Sequence, residues 1–244
     1  MDSTPDNLTD SSAPDLQSRQ ERRARITRHQ ILIVVWTVLP WLLLSLGLDY
    51  FKSILWSFFL YHCCCLMPII IYRRKSWQAH LIRPTGRQFA AVVAAALLLV
   101  LLTFILHHFI GRFAIERQHA LAAMSMRGFQ PSWLVPLSIY FVTVNPIIEE
   151  LFWRGVVLND LCEDRQEMHR WPYIWTNISF AAWHLLIIRL FVSAVFIPLA
   201  LATVAAVGFF MSWLYRRTGS VIVPILWHGL VFDLAVIVIL WLIV

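Results

Sequence analysis

Three stretches of this 244-residue chain set ionisable side chains inside runs that are otherwise apolar. The first reads Asn145-Pro146-Ile147-Ile148-Glu149-Glu150-Leu151-Phe152-Trp153-Arg154. The second runs from Asn177 through Phe180 to His184, and the third from Pro224 through His228 to Asp233. A carboxylate and an imidazole beside a water molecule can activate it as a nucleophile. A second imidazole can donate a hydrogen bond to the oxyanion that forms when water attacks an amide. The same trio of Glu149, His184 and His228 could instead hold a zinc ion, since carboxylate and imidazole are both good ligands. Helical spacing sorts the first stretch. Glu150 and Arg154, at i and i+4, pair along one face, whereas Glu149 turns about 100° away and shares its face with Asn145. Glu150 with Arg154 therefore reads as a structural ion pair. Glu149 reads as an unpaired carboxylate, which out of water suits a general base working near neutral pH. His184 lies on one stripe with Asn177.

Membrane helices must position these residues. Hydrophobic residues make up 59% of the chain and charged residues only 14%, against about 25% charged in a soluble domain. A soluble core of this size cannot hide so much apolar surface, so the bilayer is the solvent. Seven apolar runs lie near 30–48, 53–72, 88–111, 133–158, 173–190, 193–215 and 221–243, each close to the roughly 20 residues that span a bilayer. The fold expected is an all-α polytopic transmembrane helix bundle of seven spans, with an eighth, re-entrant piece near 113–131 as the alternative. Residues 1–28 read as a disordered cytosolic tail ending in a basic cluster, and 29–244 as one transmembrane domain. Basic residues concentrate in the tail and in alternate loops, which places the N-terminus in the cytosol. The net charge of +6 belongs to those flanks, where it orients the chain and meets anionic lipid rather than nucleic acid. Cys63, Cys64 and Cys65 are consecutive, and no CxxC spacing exists, so the cysteines read as packing or lipid-facing thiols. Pro40 and Pro198 read as helix kinks, and Pro146 as a place where the backbone loosens beside the glutamates. His62, His107, His108 and His119 are assigned no role, and His80 and His169 read as solvated loop residues.

Depth ties the stretches together. At about 1.5 Å per residue, Glu149, His184 and His228 lie roughly 12–17 Å from the cytosolic ends of their helices. Membrane insertion does not require this coincidence, and polar residues inside spans are functional candidates. A shared polar cavity in the cytosolic half of the membrane is the expectation.

The motifs in order, EExxxR (Glu149, Glu150, Arg154), FxxxH (Phe180, His184) and a late His228, resemble the CPBP intramembrane protease family, which includes the CAAX-processing endopeptidases. The run from Gly208 through Trp213, Thr218, Gly219, Ser220 and Pro224 to His228 is similar to that family's approach to its last motif. The resemblance covers about residues 133–235. It implies that Glu149 is the catalytic glutamate, His184 its partner in water activation and His228 the oxyanion-stabilising histidine, with Glu150 and Arg154 in support. The family is described both as zinc metalloproteases and as glutamate-type proteases. The reading favoured here has no metal, because a glutamate–histidine pair activates water directly.

One position departs from the family pattern. Where the family usually has Asn or a similar small polar residue four positions after the last histidine, this chain has Phe232, and the polar residue is Asp233. A five-residue step turns about 140° around an α-helix, so Asp233 is no simple substitute. Three readings follow. A π-bulge near Gly229 would bring Asp233 back toward His228, or Asn145 or Asn177 supplies the missing donor, or the site is weakened. The function expected is hydrolysis of a peptide bond in a hydrophobic, lipidated or membrane-anchored peptide, in a bacterial inner membrane given the short chain and compact loops. The alternatives are a non-catalytic peptide-binding protein of the same fold and, behind it, a proton-coupled transporter.

Overall fold

In hydrocarbon every backbone N–H and C=O needs an internal partner, so apolar runs of this length become helices. The computed structural model describes residues 30–162 and 170–244. Among these it has seven helices long and apolar enough to cross a membrane. They are α1 (Gln30–Tyr50), α2 (Ile54–Tyr72), α3 (Gly86–Gly111), α4 (Pro131–Leu161), α5 (Arg170–Phe191), α6 (Ala194–Thr218) and α7 (Ile222–Ile243). No strand occurs among the described residues beyond an isolated bridge between Ile115 and Val192. The all-α polytopic bundle expected from the sequence is the fold. The polar segment 1–28 and His169 lie outside the described residues. The stretch near 113–131 forms no eighth span. Its helix, Arg117–Ser125, has only nine residues, and its Ala120 and Met124 pack on Leu134 and Ile243, where α4 begins and α7 ends.

Local chemistry sets the helix ends. Thr85 and Gln88 form a capping box at the start of α3, which satisfies donors that otherwise have no partner. Gly219, at φ 67°, closes α6 in the left-handed conformation after Arg216 and Arg217, a C-cap that glycine adopts without strain. Pro40 falls where α1 breaks at Thr37–Val38, as expected. Pro198 starts the α-helical part of α6 rather than kinking it, a position where its missing N–H costs nothing. His80 is also not a free loop residue. Its Nδ1 lies 3.0 Å from Gly219 O and its own carbonyl accepts from Val221 N, so the loop after α2 clasps the turn between α6 and α7.

The main core joins α1, α2, α4 and α5 through Leu44, Tyr61, Phe152, Trp153, Phe180 and Trp183. Helices α3 and α6 are peripheral, with only 17% and 11% of their most apolar windows buried. Helix α7 inserts between α3 and α4. Two residues let it come close. Pro146 has no N–H to give the Val142 carbonyl, and Gly229 presents its bare Cα to that carbonyl. A Cβ there would overlap Val142 O and press on Pro146 Cγ at 2.9 Å. Gly229→Ala is expected to lower stability by about 1–3 kcal/mol through overpacking against backbone, read as a lower thermal midpoint in detergent. Gly86→Ala, where a Cβ meets nothing within 4 Å, is the control and leaves the midpoint near wild type.

Candidate active site

The site is built on helical segments that depart from α geometry. Immediately after Glu149 and Glu150, α4 continues as a π-helix over Leu151–Leu158, which carries Arg154. Helix α7 is π-helical over His228–Asp233, and α2 over Phe59–Leu66. The π-bulge near Gly229, one of the three readings of the Phe232 departure, is present and brings Asp233 to His228. In i→i+5 geometry a five-residue step returns to the same face. Asp233 Oδ1 lies 3.4 Å from His228 Nε2, while Phe232 turns to the aromatic rings of Phe210 and Trp227.

Arg154 is fully buried and uses its fork completely. Nη1 donates to Glu150 Oε1 at 2.8 Å and Nη2 to Gly208 O at 2.9 Å. Longer contacts reach Asn177 Oδ1 at 3.5 Å and Ser212 Oγ at 3.4 Å, and the guanidinium carbon lies 4.6 Å from the centre of the Phe180 ring. Asn177 takes a 2.8 Å hydrogen bond from Ser212 and donates to Tyr173 O. The expected structural pair of Glu150 with Arg154 is thus the centre of a knot that joins α4, α5 and α6.

The knot extends to α7 through one atom. Glu150 Oε1 also accepts from His228 Nδ1 at 2.8 Å. That leaves His228 Nε2 to face Glu149 Oε2 at 3.9 Å and Asp233 Oδ1. Glu149 is 1% exposed, and its Oε2 has no hydrogen-bond partner. Glu150 Oε2 and the indole nitrogen of Trp183 are likewise buried without a hydrogen bond, and the Tyr61 hydroxyl lies beside both Glu149 and Trp153. Folded chains rarely leave such groups unsatisfied.

His184 stands one ring away. Its Nδ1 bonds to Phe180 O at 2.8 Å. A carbonyl only accepts, so Nδ1 carries the proton and Nε2 is the bare nitrogen. The ring stacks on Trp183 at 3.7 Å between centroids. Phe180 touches both histidines, with centroids 4.8 Å from His184 and 6.1 Å from His228. Glu149, Glu150, Arg154, Asn145, Asn177, His228 and Asp233 are brought together. No hydrogen bond joins His184 to Glu149. Among the described residues no three His, Cys, Asp or Glu side chains are gathered as a metal-ligand set.

Two expectations need correction. The shared polar cavity expected at these residues is not open, since Glu149, Glu150 and His228 are buried. His62, assigned no role, is 2% exposed and hydrogen-bonded within this network. It sits in the middle of its run rather than at an end, and that position was the signal available in the sequence.

Residues 131–232 match the family model described as type II CAAX prenyl endopeptidase Rce1-like. Over this stretch the chain is similar to that family. The match falls on α4 to α7, the helices that carry the motifs, and bears out the CPBP resemblance read from them. It supports a membrane protease of the CAAX endopeptidase kind. No curated protein and no solved structure matches the chain significantly.

Removing one partner of a buried ion pair strands the other. Arg154→Met is expected to cost about 3–5 kcal/mol by leaving Glu150 with His228 as its one charged neighbour, and Arg154→Lys, which lacks the fork, to recover little of it. Glu150→Gln/Arg154→Met together should be less destabilised than Arg154→Met alone. Thermal unfolding of the three variants in one detergent checks the order.

Proposed function

We propose that this protein is an intramembrane endopeptidase that hydrolyses a peptide bond in a hydrophobic, lipidated or membrane-anchored peptide, using water activated by Glu149 and His184. The observation that carries the reading is the buried carboxylate of Glu149, unpartnered at Oε2 and facing an imidazole that Glu150 holds in place.

In this reading water accepts orientation from two sides. One of its protons points to Glu149 and the other to the bare Nε2 of His184. The water oxygen bonds to the carbonyl carbon as its proton passes to Glu149. The carbonyl π electrons move to oxygen, and His228 donates Nε2–H to that oxyanion. A histidine whose Nδ1–H is already given to Glu150 must carry both ring protons to do this. On collapse the C–N bond breaks, and the proton held by Glu149 goes to the leaving amine. Glu149 ends as it began, and the products are a carboxyl terminus and an amine. Glu150, Arg154 and Asn177 hold the frame, and Asn145 and Asp233 hold His228. Exclusion of bulk water from so buried a site strengthens each of these interactions.

The substrate reaches the site from the cytosolic side or laterally between helices. The protein sits in a bacterial inner membrane with its N-terminus in the cytosol, a placement supported by the basic loops. The cofactor reading is metal-free. In the alternative, zinc would be held by Glu149, His184 and His228.

The test is cleavage of a library of membrane peptides by the purified protein. Glu149→Gln should lower kcat at least about 1,000-fold, and His184→Ala about 100-fold or more, with folding intact. Chelator should leave the wild type unchanged. Loss with chelator and recovery with zinc would move the same residues into a metal site. Peptide binding without cleavage, unchanged in both variants, would make the protein a non-catalytic binder.

A further inference from the structure

We propose that His62 and Tyr140 are positioning residues of the reaction, anchoring a one-way chain of hydrogen bonds that holds Asp233 against His228. The inference rests on the hydrolytic reading above.

The chain runs across three helices. Tyr140 Oη, on α4, lies 2.7 Å from His62 Nδ1, on α2. His62 Nε2 lies 3.1 Å from Asn145 Oδ1, and Asn145 Nδ2 lies 3.1 Å from Asp233 Oδ2, on α7. Asp233 Oδ1 then faces His228 Nε2 at 3.4 Å. With Asp233 ionised and His62 neutral, the direction of every link follows. An ionised Asp233 only accepts, so Asn145 turns its NH2 to it and its carbonyl oxygen to His62. That oxygen also only accepts, so the His62 proton is on Nε2. Nδ1 of a neutral His62 is then bare and takes the Tyr140 O–H. Reversing any one link would set donor against donor or acceptor against acceptor.

This polarity has a use. Asp233 reaches His228 only because α7 is π-helical there, and its second oxygen needs a partner to hold the carboxylate in that pose. Asn145 supplies the partner, and His62 keeps Asn145 from flipping. A ring in a membrane core could instead serve helix packing alone, since hydrogen bonds between membrane helices also stabilise the bundle. The two roles differ in what they change. Packing alone alters stability, whereas positioning alters kcat while leaving KM nearly untouched.

The experiment uses the full chain with a peptide that it cleaves. Tyr140→Phe should lower kcat about 3–10-fold and His62→Leu about 10–100-fold, the range seen for residues that orient active groups, with KM within about twofold. His62→Gln, whose amide N–H can replace Nε2–H, should recover most of the rate. Tyr140→Phe should cost nothing further in a His62→Leu background. Wild-type kcat in both single variants, with only a lowered thermal midpoint, would overturn the proposal. If Glu149→Gln also leaves cleavage unchanged, the hydrolytic reading itself has failed. A second readout does not need turnover. In 15N-histidine spectra, the signals lost in His62→Gln should show Nδ1 bare and Nε2 protonated. Asp233→Asn, which can donate as well as accept, should shift the His62 signals. An unshifted His62 in Asp233→Asn would overturn the chain with or without activity.

Discussion

A single carboxylate oxygen, Glu150 Oε1, is the point on which the rest of the site depends. It accepts from Arg154 on its own helix and from His228 on α7. Arg154 in turn reaches the Gly208 carbonyl on α6 and Asn177 on α5. A guanidinium in hydrocarbon is tolerable only when each face of its fork finds an acceptor. That requirement draws α5 and α6 onto α4, and His228 brings α7 to the same carboxylate oxygen. Bringing them there leaves Glu149, one residue away on another face, inside the same closed space without a share of the arginine. The ion pair and the free carboxylate are thus one design. Glu150 takes the close contacts of Arg154 and His228, and Glu149 keeps only the longer approach of His228 Nε2 at 3.9 Å.

The π-helical segments are the second requirement. An α-helix presents i, i+4 and i+7 to one neighbour, and the site needs other spacings. Helix α7 must offer His228 to Glu150 and Asp233 to Asn145 at once, which a five-residue step does only in π geometry. The widened turn loosens backbone hydrogen bonds, a cost that close packing has to offset. Gly229 on the Val142 carbonyl that Pro146 leaves without its usual donor is such a contact. A Cα–H···O approach there recovers part of what proline removed. Pro146, Gly229 and the π turn of α7 therefore belong together.

The spans, the ion pair of Glu150 with Arg154 and the grouping of Glu149 with His228 were legible in the sequence. Each follows from composition or from ordinary helical spacing. The Asp233 position was legible only as an alternative, because a π turn is set by packing across helices and leaves no periodic signature. His62 was not recognised. A lone histidine in an apolar run has no partner in its own sequence neighbourhood, and its partners Tyr140 and Asn145 are 78 and 83 residues away. The closed form of the site was also not readable. Burial depends on how Tyr61, Trp153, Phe180 and Trp183 pack around the carboxylates, and side-chain packing across three helices is not encoded in spacing.

The substitution pattern around His228 carries a consequence for chemistry. A small neutral amide four residues after the histidine would be both donor and acceptor. Here the polar group beside Nε2 is a carboxylate, which only accepts. His228 thus has an acceptor at each ring nitrogen, Glu150 at Nδ1 and Asp233 at Nε2, and an imidazole between two acceptors is a double donor. In the proposed reaction that is the form needed when negative charge develops on the carbonyl oxygen. The 3.4 Å separation from Asp233 is longer than a strong charge-assisted bond, so a developing oxyanion competes for that N–H on favourable terms. Asp233 would then prepare the proton without holding it too tightly, a balance that fails if the carboxylate moves. The chain through Asn145 to His62 bears on that balance, since it is what keeps the carboxylate still.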